Sequence, residues 1–398
     1  MFKCFCVLGF LFSGILIFSF TGCSVTAVSN PDQISFAHNE PANIPEVSDF
    51  VARLTNVSGH YWRVTKRLDF HSIDTSNFRL PNYLLVTNKS FLSKFPGIIG
   101  LPIDFRDQYP EYSISSIDFV DDKRGFIALN KFSTGINDTS DLSKIIKTTN
   151  GRKSWETVYE NRAIMIATVV FVNEDIGWAI GRRLTNESYF DRRYLALQTL
   201  DRGETWNDVS EPINQLVLRQ FKDVNDELTA LHADDVTTAT ALSLNGRLFR
   251  TTDSGKSWNQ FTVLPSEPLQ TCLCQIGRLE SGEIWVSGGA NSIEGQWGVI
   301  AILGHDGRWT RNRLPNMSFN QIKFVSDSSV FAAGAMFDQT KGKKGRQRAV
   351  ILFSGDLGKN WQVIYKSQQA DEFVSLTISS TERIEAIDST GRLISIEK

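Results

Sequence analysis

Short apolar runs alternate with polar turns along most of the chain. The segment ATVVFVNEDIGWAIGR (167–182) is typical, because two apolar and partly β-branched runs flank a polar turn. Runs of this length, bounded by turn residues, predict antiparallel β-strands rather than helices. Similar segments recur as SSIDFVDDKRGFIALN (115–130) and IKFVSDSSVFAAGA (322–335).

The strand pattern repeats with a fixed period that a tryptophan marks. Each copy ends in a polar turn followed by Trp, and these tryptophans are Trp155, Trp206, Trp258, Trp309 and Trp361. Their spacings are 51, 52, 51 and 52 residues. Four strands in a unit of this length are typical of a β-propeller blade. We therefore predict an all-β propeller of seven four-stranded blades, with six or eight as alternatives.

The two ends of the array predict how the ring closes. The segment TGRLISIEK (390–398) matches the third strand LNGRLFRT (244–251) but has no fourth strand after it. The segment GHYWRVTKRL (59–68) has the Trp-led pattern of a fourth strand, so we expect an N-terminal strand to complete the last blade. A degenerate blade is then expected at about 70–112. Closure removes an exposed sheet edge.

The turns before Trp206, Trp258 and Trp361 are variants of the pattern Thr-x-Asp-x-Gly-x-Ser-Trp, and the turn before Trp309 is a shortened copy. An Asp in such a turn accepts hydrogen bonds from backbone amides, Gly adopts a conformation that other residues resist, and Trp offers a large face that can pack against the next blade. Asn150 replaces Asp in the first copy, which fits an acceptor better than a catalytic acid. We predict a structural role for Asp201, Gly203, Trp206, Asp253, Gly255, Trp258, Asp356, Gly358 and Trp361.

This turn resembles the Asp box, or BNR repeat. Together with the upstream FVNEDIGWAIG (171–181), it resembles the photosystem II stability and assembly factor-like propellers, over about residues 60–398. The resemblance implies a scaffold that binds another protein without catalysing a reaction.

A sialidase-like glycan hydrolase or a glycan-binding protein is the alternative from the same repeat. Phe78-Arg79-Leu80-Pro81 resembles the motif whose Arg grips a sialic acid. However, no Asp follows before Asp104, and Tyr365 lies just after an Asp-box turn. The carboxylic acid and the Tyr nucleophile that hydrolysis needs are therefore missing.

The N-terminus predicts export and lipidation. A basic start and an apolar run from Phe5 to Phe20 lead to Thr21-Gly22-Cys23, which resembles a bacterial lipoprotein signal; an uncleaved signal anchor is the alternative. We expect a signal peptide at 1–22, lipidated Cys23, a flexible tether over 23–50 and a propeller domain over 51–398. Ser24 after the Cys indicates the outer membrane, with the domain facing the periplasm.

The composition and a few individual residues argue against some classes of function. The net charge of -2 argues against nucleic-acid binding. The five histidines lack metal-ligand spacing, and we predict no cofactor and no metal site. Cys272 and Cys274 are predicted to lie on one face of a strand, either as two thiols or as a strained disulfide.

The loops between second and third strands are the candidate binding surface. They are long at 130–143, 181–194, 289–298 and 337–348, and topology places them on the face opposite the Asp-box turns. Two are basic, which favours an acidic partner, although solvated loop tips are equally consistent. The predicted partner-binding residues are Arg182, Arg183, Tyr189, Arg192, Arg193, Lys343, Lys344, Arg346 and Arg348. We expect a monomer that binds an envelope component or, alternatively, neutralises a periplasmic toxin as an immunity protein.

Overall fold

The computed structural model describes residues 112–397, except 122, 132–140, 151–153, 186–187, 219–225, 245, 264–269, 293–294, 338–346, 371, 379–383 and 389–392. It also describes Tyr109 and the backbone of the strands before it. The predicted signal peptide, Cys23 and most of the tether lie outside the described residues.

The described residues form 28 strands and one helix, α1 (Glu211–Leu218). In chain order the strands are β1 (Ala37–His38), β2 (Asp49–Val57), β3 (His60–Arg67), β4 (Asn82–Asn88), β5 (Ile103–Asp104), β6 (Ser113–Phe119), β7 (Gly125–Lys131), β8 (Leu142–Thr148), β9 (Glu156–Arg162), β10 (Ile164–Phe171), β11 (Gly177–Thr185), β12 (Ser188–Thr199), β13 (Asn207–Asp208), β14 (Leu228–Ala233), β15 (Ala239–Ser243), β16 (Arg247–Thr251), β17 (Asn259–Thr262), β18 (Gln270–Arg278), β19 (Ile284–Ser292), β20 (Gly295–Leu303), β21 (Trp309–Pro315), β22 (Met317–Phe324), β23 (Val330–Phe337), β24 (Gln347–Ser354), β25 (Gln362–Lys366), β26 (Phe373–Ile378), β27 (Ile384–Asp388) and β28 (Leu393–Glu397).

These strands pair into seven four-stranded antiparallel sheets, which we call blades 1 to 7. Blades 1 to 6 are β2–β5, β6–β9, β10–β13, β14–β17, β18–β21 and β22–β25, and blade 7 is β26–β28 completed by β1. First strands of neighbouring blades contact one another from blade 2 to blade 5 and between blades 6 and 7, and β19 of blade 5 contacts β22 of blade 6. The strand β2 of blade 1 contacts β26 of blade 7. The predicted β-propeller is therefore confirmed.

The strand that closes the ring differs from the one expected. β1 pairs with β28, with Ala37 opposite Glu397, so an N-terminal strand does complete the last blade. The segment predicted for that role is β3, the second strand of blade 1. Because β3 pairs with β2 on one side and β4 on the other, it cannot be the edge strand of blade 7. Blade 1 consequently spans 49–104, not 70–112.

The core lies between the blades. Five clusters of buried apolar side chains each join two consecutive blades, from blades 2 and 3 to blades 6 and 7. Trp178 and Tyr194 of blade 3 and Phe249 of blade 4, for example, are fully buried against one another. Burial of such large side chains is the main favourable contribution to folding, so the blades are held together chiefly by apolar contact.

A β-bulge recurs in the first strand of every blade. In blade 2 the pairing shifts between Ile114 and Ser116, and the other six first strands shift in the corresponding place. Side chains at the bulges bond to the next blade's first strand: Ser115 Oγ donates to Ile166 O (2.6 Å) and Asn320 Nδ2 donates to Phe373 O (2.8 Å). These bonds tie consecutive blades at the centre of the ring.

Cys274 is the bulge residue of blade 5, because the pairing of β18 shifts between Leu273 and Gln275. The strict alternation that would place Cys272 and Cys274 on one face is therefore interrupted. Cys274 is a free thiol, which excludes the disulfide alternative for it. The side chain of Cys272 lies outside the description. None of the helices in the described part of the chain has the length and apolarity needed to cross a membrane.

Candidate functional site

Antiparallel pairing divides the turns of the ring between two faces. Turns between first and second strands and between third and fourth strands lie on one face, which we call the motif face. Hairpin ends between second and third strands and the links between blades lie on the other, the loop face.

The motif face carries three nearly identical turns, at 199–206, 251–258 and 354–361. In the second, Thr251 Oγ1 donates to Asp253 Oδ1 (2.8 Å), and Ser257 donates to the carboxylate from both its amide (2.9 Å) and its hydroxyl (2.6 Å). Asp201 and Asp356 accept the corresponding bonds. These donors, led by the Ser257 hydroxyl, lower the pKa of Asp253. A carboxylate saturated in this way is a poor proton carrier.

Asn150 occupies the same position in blade 2 and keeps the same partners. Its Oδ1 accepts from Thr148 Oγ1 (3.2 Å) and from the amide of Ser154 (3.1 Å). Its Nδ2 donates to Ser154 Oγ (2.8 Å), whereas in the Asp turns the carboxylate accepts a hydrogen bond from the corresponding side chain. The turn therefore needs a side-chain acceptor and not a negative charge.

The glycines of the three turns allow close approach between blades. Gly203, Gly255 and Gly358 have φ of +80°, +79° and +80°, a region that side chains disfavour. A Cβ on Gly255 would lie 2.8 Å from Val209 Cβ in the preceding blade. Phe126 and Ile300, also in preceding blades, approach Gly203 and Gly358 in the same way. The turn thus serves as a contact between blades.

The tryptophans pack toward the preceding blade, whereas the sequence predicts the next one. Trp258 of blade 4 is buried edge-on against Trp178 of blade 3, with ring centroids 6.4 Å apart. Trp206 meets Tyr159 of blade 2 similarly, at 6.5 Å. The motif turn joins the third and fourth strands of its blade, and its Trp packs on the side of the sheet that faces the preceding blade.

Each turn is also fixed to its own blade. The residue with positive φ before the glycine donates its amide to the first turn of that blade: Arg202 to Asp175 O, Ser254 to Thr237 O and Leu357 to Ser328 O, at 2.9–3.0 Å. The motif face is consequently a set of interlocked, repeated turns. Repetition of this kind is expected of a scaffold, since a single site needs unlike parts.

The loop face is irregular, and several predicted basic residues have internal partners there. Arg182 is buried in β11, and its Nη1 lies 2.7 Å from Glu227 Oε2 of blade 4. Arg183 forms an ion pair with Asp208. Arg348 is half-buried and donates to Gln368 Oε1 (3.2 Å). The positive charge counted in the sequence is thus partly neutralised within the fold.

The remaining predicted residues are described incompletely. Arg193 is half-buried in β12, whereas only the backbone of Tyr189 and Arg192 is described in that strand. Lys343, Lys344 and Arg346 lie outside the described residues. The segments 181–194 and 289–298 are mostly strand, so two of the expected loops are long hairpins.

Sequence reasoning missed α1 and the side chains around it. β13 covers only two residues of β12, and Ser210 and Asn214 pair with β12 in place of a longer strand. Asn214 accepts from the Tyr194 amide and donates to its carbonyl, both at 2.9 Å, while Ser210 Oγ accepts from the Ala196 amide (2.8 Å). The signal was present as Ser210-Glu211-Pro212, since Ser before Glu-Pro is typical of a helix start.

A buried polar cluster lies beneath the loop face between blades 3 and 4. The Asp226 carboxylate is fully buried and accepts from Tyr194 OH (2.8 Å) and Arg247 Nη1 (3.1 Å). Burial, and then the nearby Asp226, raise the pKa of Tyr194, and burial raises that of Asp226. Tyr194 therefore stays protonated and cannot act as a nucleophile. Tyr365 packs edge-on against Phe373, 5.8 Å between ring centroids.

Among the described residues, no group of three His, Cys, Asp or Glu side chains is placed to hold a metal ion. The strongest perturbations of pKa belong to the buried Tyr194 cluster, which is already satisfied by hydrogen bonds. The loop face, where the hairpins differ from blade to blade, is the variable surface of the fold.

Comparison with known proteins supports the fold. No protein-family model and no curated protein matches the sequence. Among solved structures, YCF48 bound to D1 peptide is similar with a TM-score of 0.55 and 14% identity, covering 94% of this chain and 100% of that chain. YCF48 from Cyanidioschyzon merolae is similar with a TM-score of 0.57 and 13% identity, over 91% and 99%. The GH74 xyloglucanase from Xanthomonas campestris has a TM-score of 0.55 and 11% identity, over 90% and 53%. These likenesses establish a β-propeller.

Proposed function

We propose that this protein is a propeller scaffold that binds another protein through its loop face and catalyses no reaction. The observation that carries the proposal is the contrast between the faces. The motif turns repeat the same hydrogen bonds in blades 3, 4 and 6, whereas the hairpins of the loop face differ in length and charge. Function in repeat architectures concentrates where the repeats differ.

A structural neighbour gives independent support. One similar propeller was solved with a D1 peptide bound to it, and the likeness spans that whole chain. A propeller of this size and architecture can therefore present a peptide-binding surface. We extend that capacity, and not the identity of the peptide, to this chain.

We further propose that the domain is attached to the membrane through a lipid on Cys23, as a monomer facing the periplasm. Radioactive palmitate should label the chain and fail to label Cys23→Ser, which should leave the membrane fraction. If Cys23→Ser fractionates like the unaltered chain, the lipid anchor is rejected.

The binding proposal is tested by crosslinking and capture of the tagged full chain from cells. We expect one protein to be enriched, and reversal of charge at Arg346 and Arg348 to reduce its capture. A shared envelope component would support an assembly role, whereas a toxin encoded beside the gene, held at nanomolar affinity, would support immunity. Unchanged capture with the reversed charges would count against this part of the loop face.

The hydrolase alternative is tested separately with a fluorogenic sialoside. Turnover of the sialoside that persists after the protein has been purified would replace the binding proposal. We expect none, because the tyrosines of the described loop face and the strand after the last motif turn are packed or hydrogen bonded.

A further inference from the structure

One motif turn breaks the repetition of the motif face. The segment from Leu303 to Trp309 in blade 5 has seven residues where the complete turns have eight, and Leu303 pairs directly with Trp309. A Cβ on Gly307 in this turn would meet no atom within 4 Å, whereas one on Gly255 would lie 2.8 Å from Val209 Cβ of the preceding blade. The turn of blade 5 therefore lacks the glycine contact that joins the three complete turns to their preceding blades.

Blade 4 differs from the other blades on the side that faces this turn. Near the motif-face end of the second strand, four blades carry an aromatic side chain, namely Phe126, Trp178, Trp285 and Phe331. Blade 4 has Thr240 there, paired with Arg250 of the third strand. Arg250 faces blade 5, because it alternates along the strand with Phe249, which packs against blade 3. We call the contact between Arg250 and the turn 303–309 the 4/5 seam.

Arg250 lacks the kind of partner that its equivalents have. Each is the residue before the first motif position. Lys147 of blade 2 forms an ion pair with Glu204 on the motif turn of blade 3, and Gln198 Nε2 of blade 3 donates to Val236 O of blade 4 (2.6 Å). Arg250 Nε is buried and has no hydrogen-bond partner among the described residues. A buried donor without an acceptor is costly, so this position favours a ligand that supplies one.

The seam between blades 2 and 3 shows how an acid reaches this position. The Lys147 side chain is 7% exposed, whereas the Glu204 side chain is 60% exposed. The base therefore lies inside the seam, and the carboxylate approaches it from the solvent side. Glu204 follows Gly203, but the residue that follows Gly307 in blade 5 is Arg308. Blade 5 thus places a cation where blade 3 places the acid.

Two carboxylates of the adjoining turns already have other partners. Asp234 is held by Arg278 Nη1 (3.0 Å) and by His232 Nε2 (3.2 Å). Asp306 accepts a backbone amide of its own turn (3.0 Å). Neither forms an ion pair with Arg250, so the fold leaves this guanidinium to an acid from outside the seam.

We propose that the 4/5 seam binds the carboxylate of an acidic side chain that a partner protein presents on a turn. The guanidinium of Arg250 offers a planar set of donors that matches a carboxylate through two parallel hydrogen bonds. The carboxylate takes the place that Glu204 takes beside Lys147, and Trp309, half-buried on the blade 5 side, packs against the stem of the acidic side chain. The inference goes beyond the proposed function, because the 4/5 seam lies on the motif face.

The test is a titration of the full chain, carrying isotope-labelled arginine, with a peptide of residues 200–206 (LDRGETW), which contains Glu204. The Nε–H signal that disappears in Arg250→Lys identifies Arg250 in the nuclear magnetic resonance spectrum. We expect the peptide to shift this signal saturably. The matched peptide with glutamine in place of the glutamate should bind roughly tenfold to a hundredfold more weakly, because it lacks the charged hydrogen bond.

Two variants of Arg308 supply an internal acid and its control. The Arg308 side chain is 88% exposed, so both variants keep the core intact. Arg308→Glu places a carboxylate after the turn glycine, as in blade 3, and should hold the Arg250 signal at its bound position and block the peptide. Arg308→Gln should leave the affinity for the peptide nearly unchanged, since an exposed charge contributes little.

Four results would overturn the assignment. Equal shifts from the acidic and the glutamine peptide would show that the carboxylate is not recognised. Equal loss of binding in both Arg308 variants would assign the contact to Arg308. Acetate that binds as tightly as the peptide would exclude recognition of a partner protein, and tighter binding of inorganic phosphate would replace the carboxylate as the ligand. Cellular capture with charge reversal at Arg346 and Arg348 tests the loop face separately, so the two proposals fail independently.

Discussion

The contact between motif turns and preceding blades makes a prediction about two glycines with the same backbone conformation. Gly255 has φ of +79° and Gly307 has φ of +75°. A Cβ on Gly255 would lie 2.8 Å from Val209 Cβ and 2.9 Å from its Cγ2, whereas nothing lies within 4 Å of a Cβ on Gly307. The substitutions Gly255→Ala and Gly307→Ala therefore share the backbone cost and differ only in the contact.

The two costs can be estimated separately. A side chain in the left-handed region costs about 1–2 kcal/mol, which applies to both variants. Forcing a methyl group into a packed contact costs about 1–3 kcal/mol more, which applies only to Gly255→Ala. We expect losses of about 1.5 kcal/mol for Gly307→Ala and about 3.5 kcal/mol for Gly255→Ala. For a domain of this size these correspond to falls in Tm of about 2 °C and about 5 °C.

Thermal unfolding followed by circular dichroism measures both, and Val209→Ala completes a double-mutant cycle. Removal of the Val209 methyl groups should recover about 1–2 kcal/mol of the Gly255→Ala loss and nothing of the Gly307→Ala loss. Equal losses for the two glycines, or strict additivity with Val209→Ala, would refute the view that motif turns lock neighbouring blades.

Three further predictions follow from the hydrogen bonds. Asp253→Ala should lower stability at pH 7 more than Asp253→Asn, since Asn150 occupies this position in blade 2. Because the folded pKa of Asp253 is lowered, the stabilisation by its carboxylate is full above about pH 4 and disappears as the pH falls through the folded pKa. Urea unfolding at neutral and acidic pH should therefore show the stabilities of the unaltered chain and the two variants converging at acidic pH. Asn214→Ala should speed amide exchange at Tyr194, and exposed Gln215→Ala should not. The raised pKa of Tyr194 predicts that its phenol titrates only when alkali unfolds the chain, which ultraviolet absorbance at rising pH detects; reversible titration near pH 10 in folded protein would contradict the buried cluster.

The fold could be predicted from the sequence because its determinants are local and repeated. A turn such as 251–258 bonds almost entirely within itself, so its residue types are visible in any one copy. The spacing of the tryptophans then carries the periodicity to the whole ring. Neither inference requires knowledge of a distant contact.

The error at the N-terminus has the opposite cause. Trp62 in GHYWRVTKRL matches the residue that leads a fourth strand, and blade 1 has no motif turn against which to check it. Which strand closes blade 7 depends on the pairing of Ala37 with Glu397, 360 residues later in the chain. A two-residue strand carries too little pattern to be recognised, and its partner is fixed only by closure of the ring.

The candidate site shows the same limit in its electrostatics. Arg182 and Arg183 read as surface charge within a basic segment, yet the fold brings Glu227 and Asp208 to them from beyond the next motif turn. Charge counted along a loop overstates what a partner meets when carboxylates on neighbouring blades neutralise it. The length of the hairpins is a safer guide to the shape of the loop face, because the number of strand pairs sets how far a hairpin extends, whatever its side chains are.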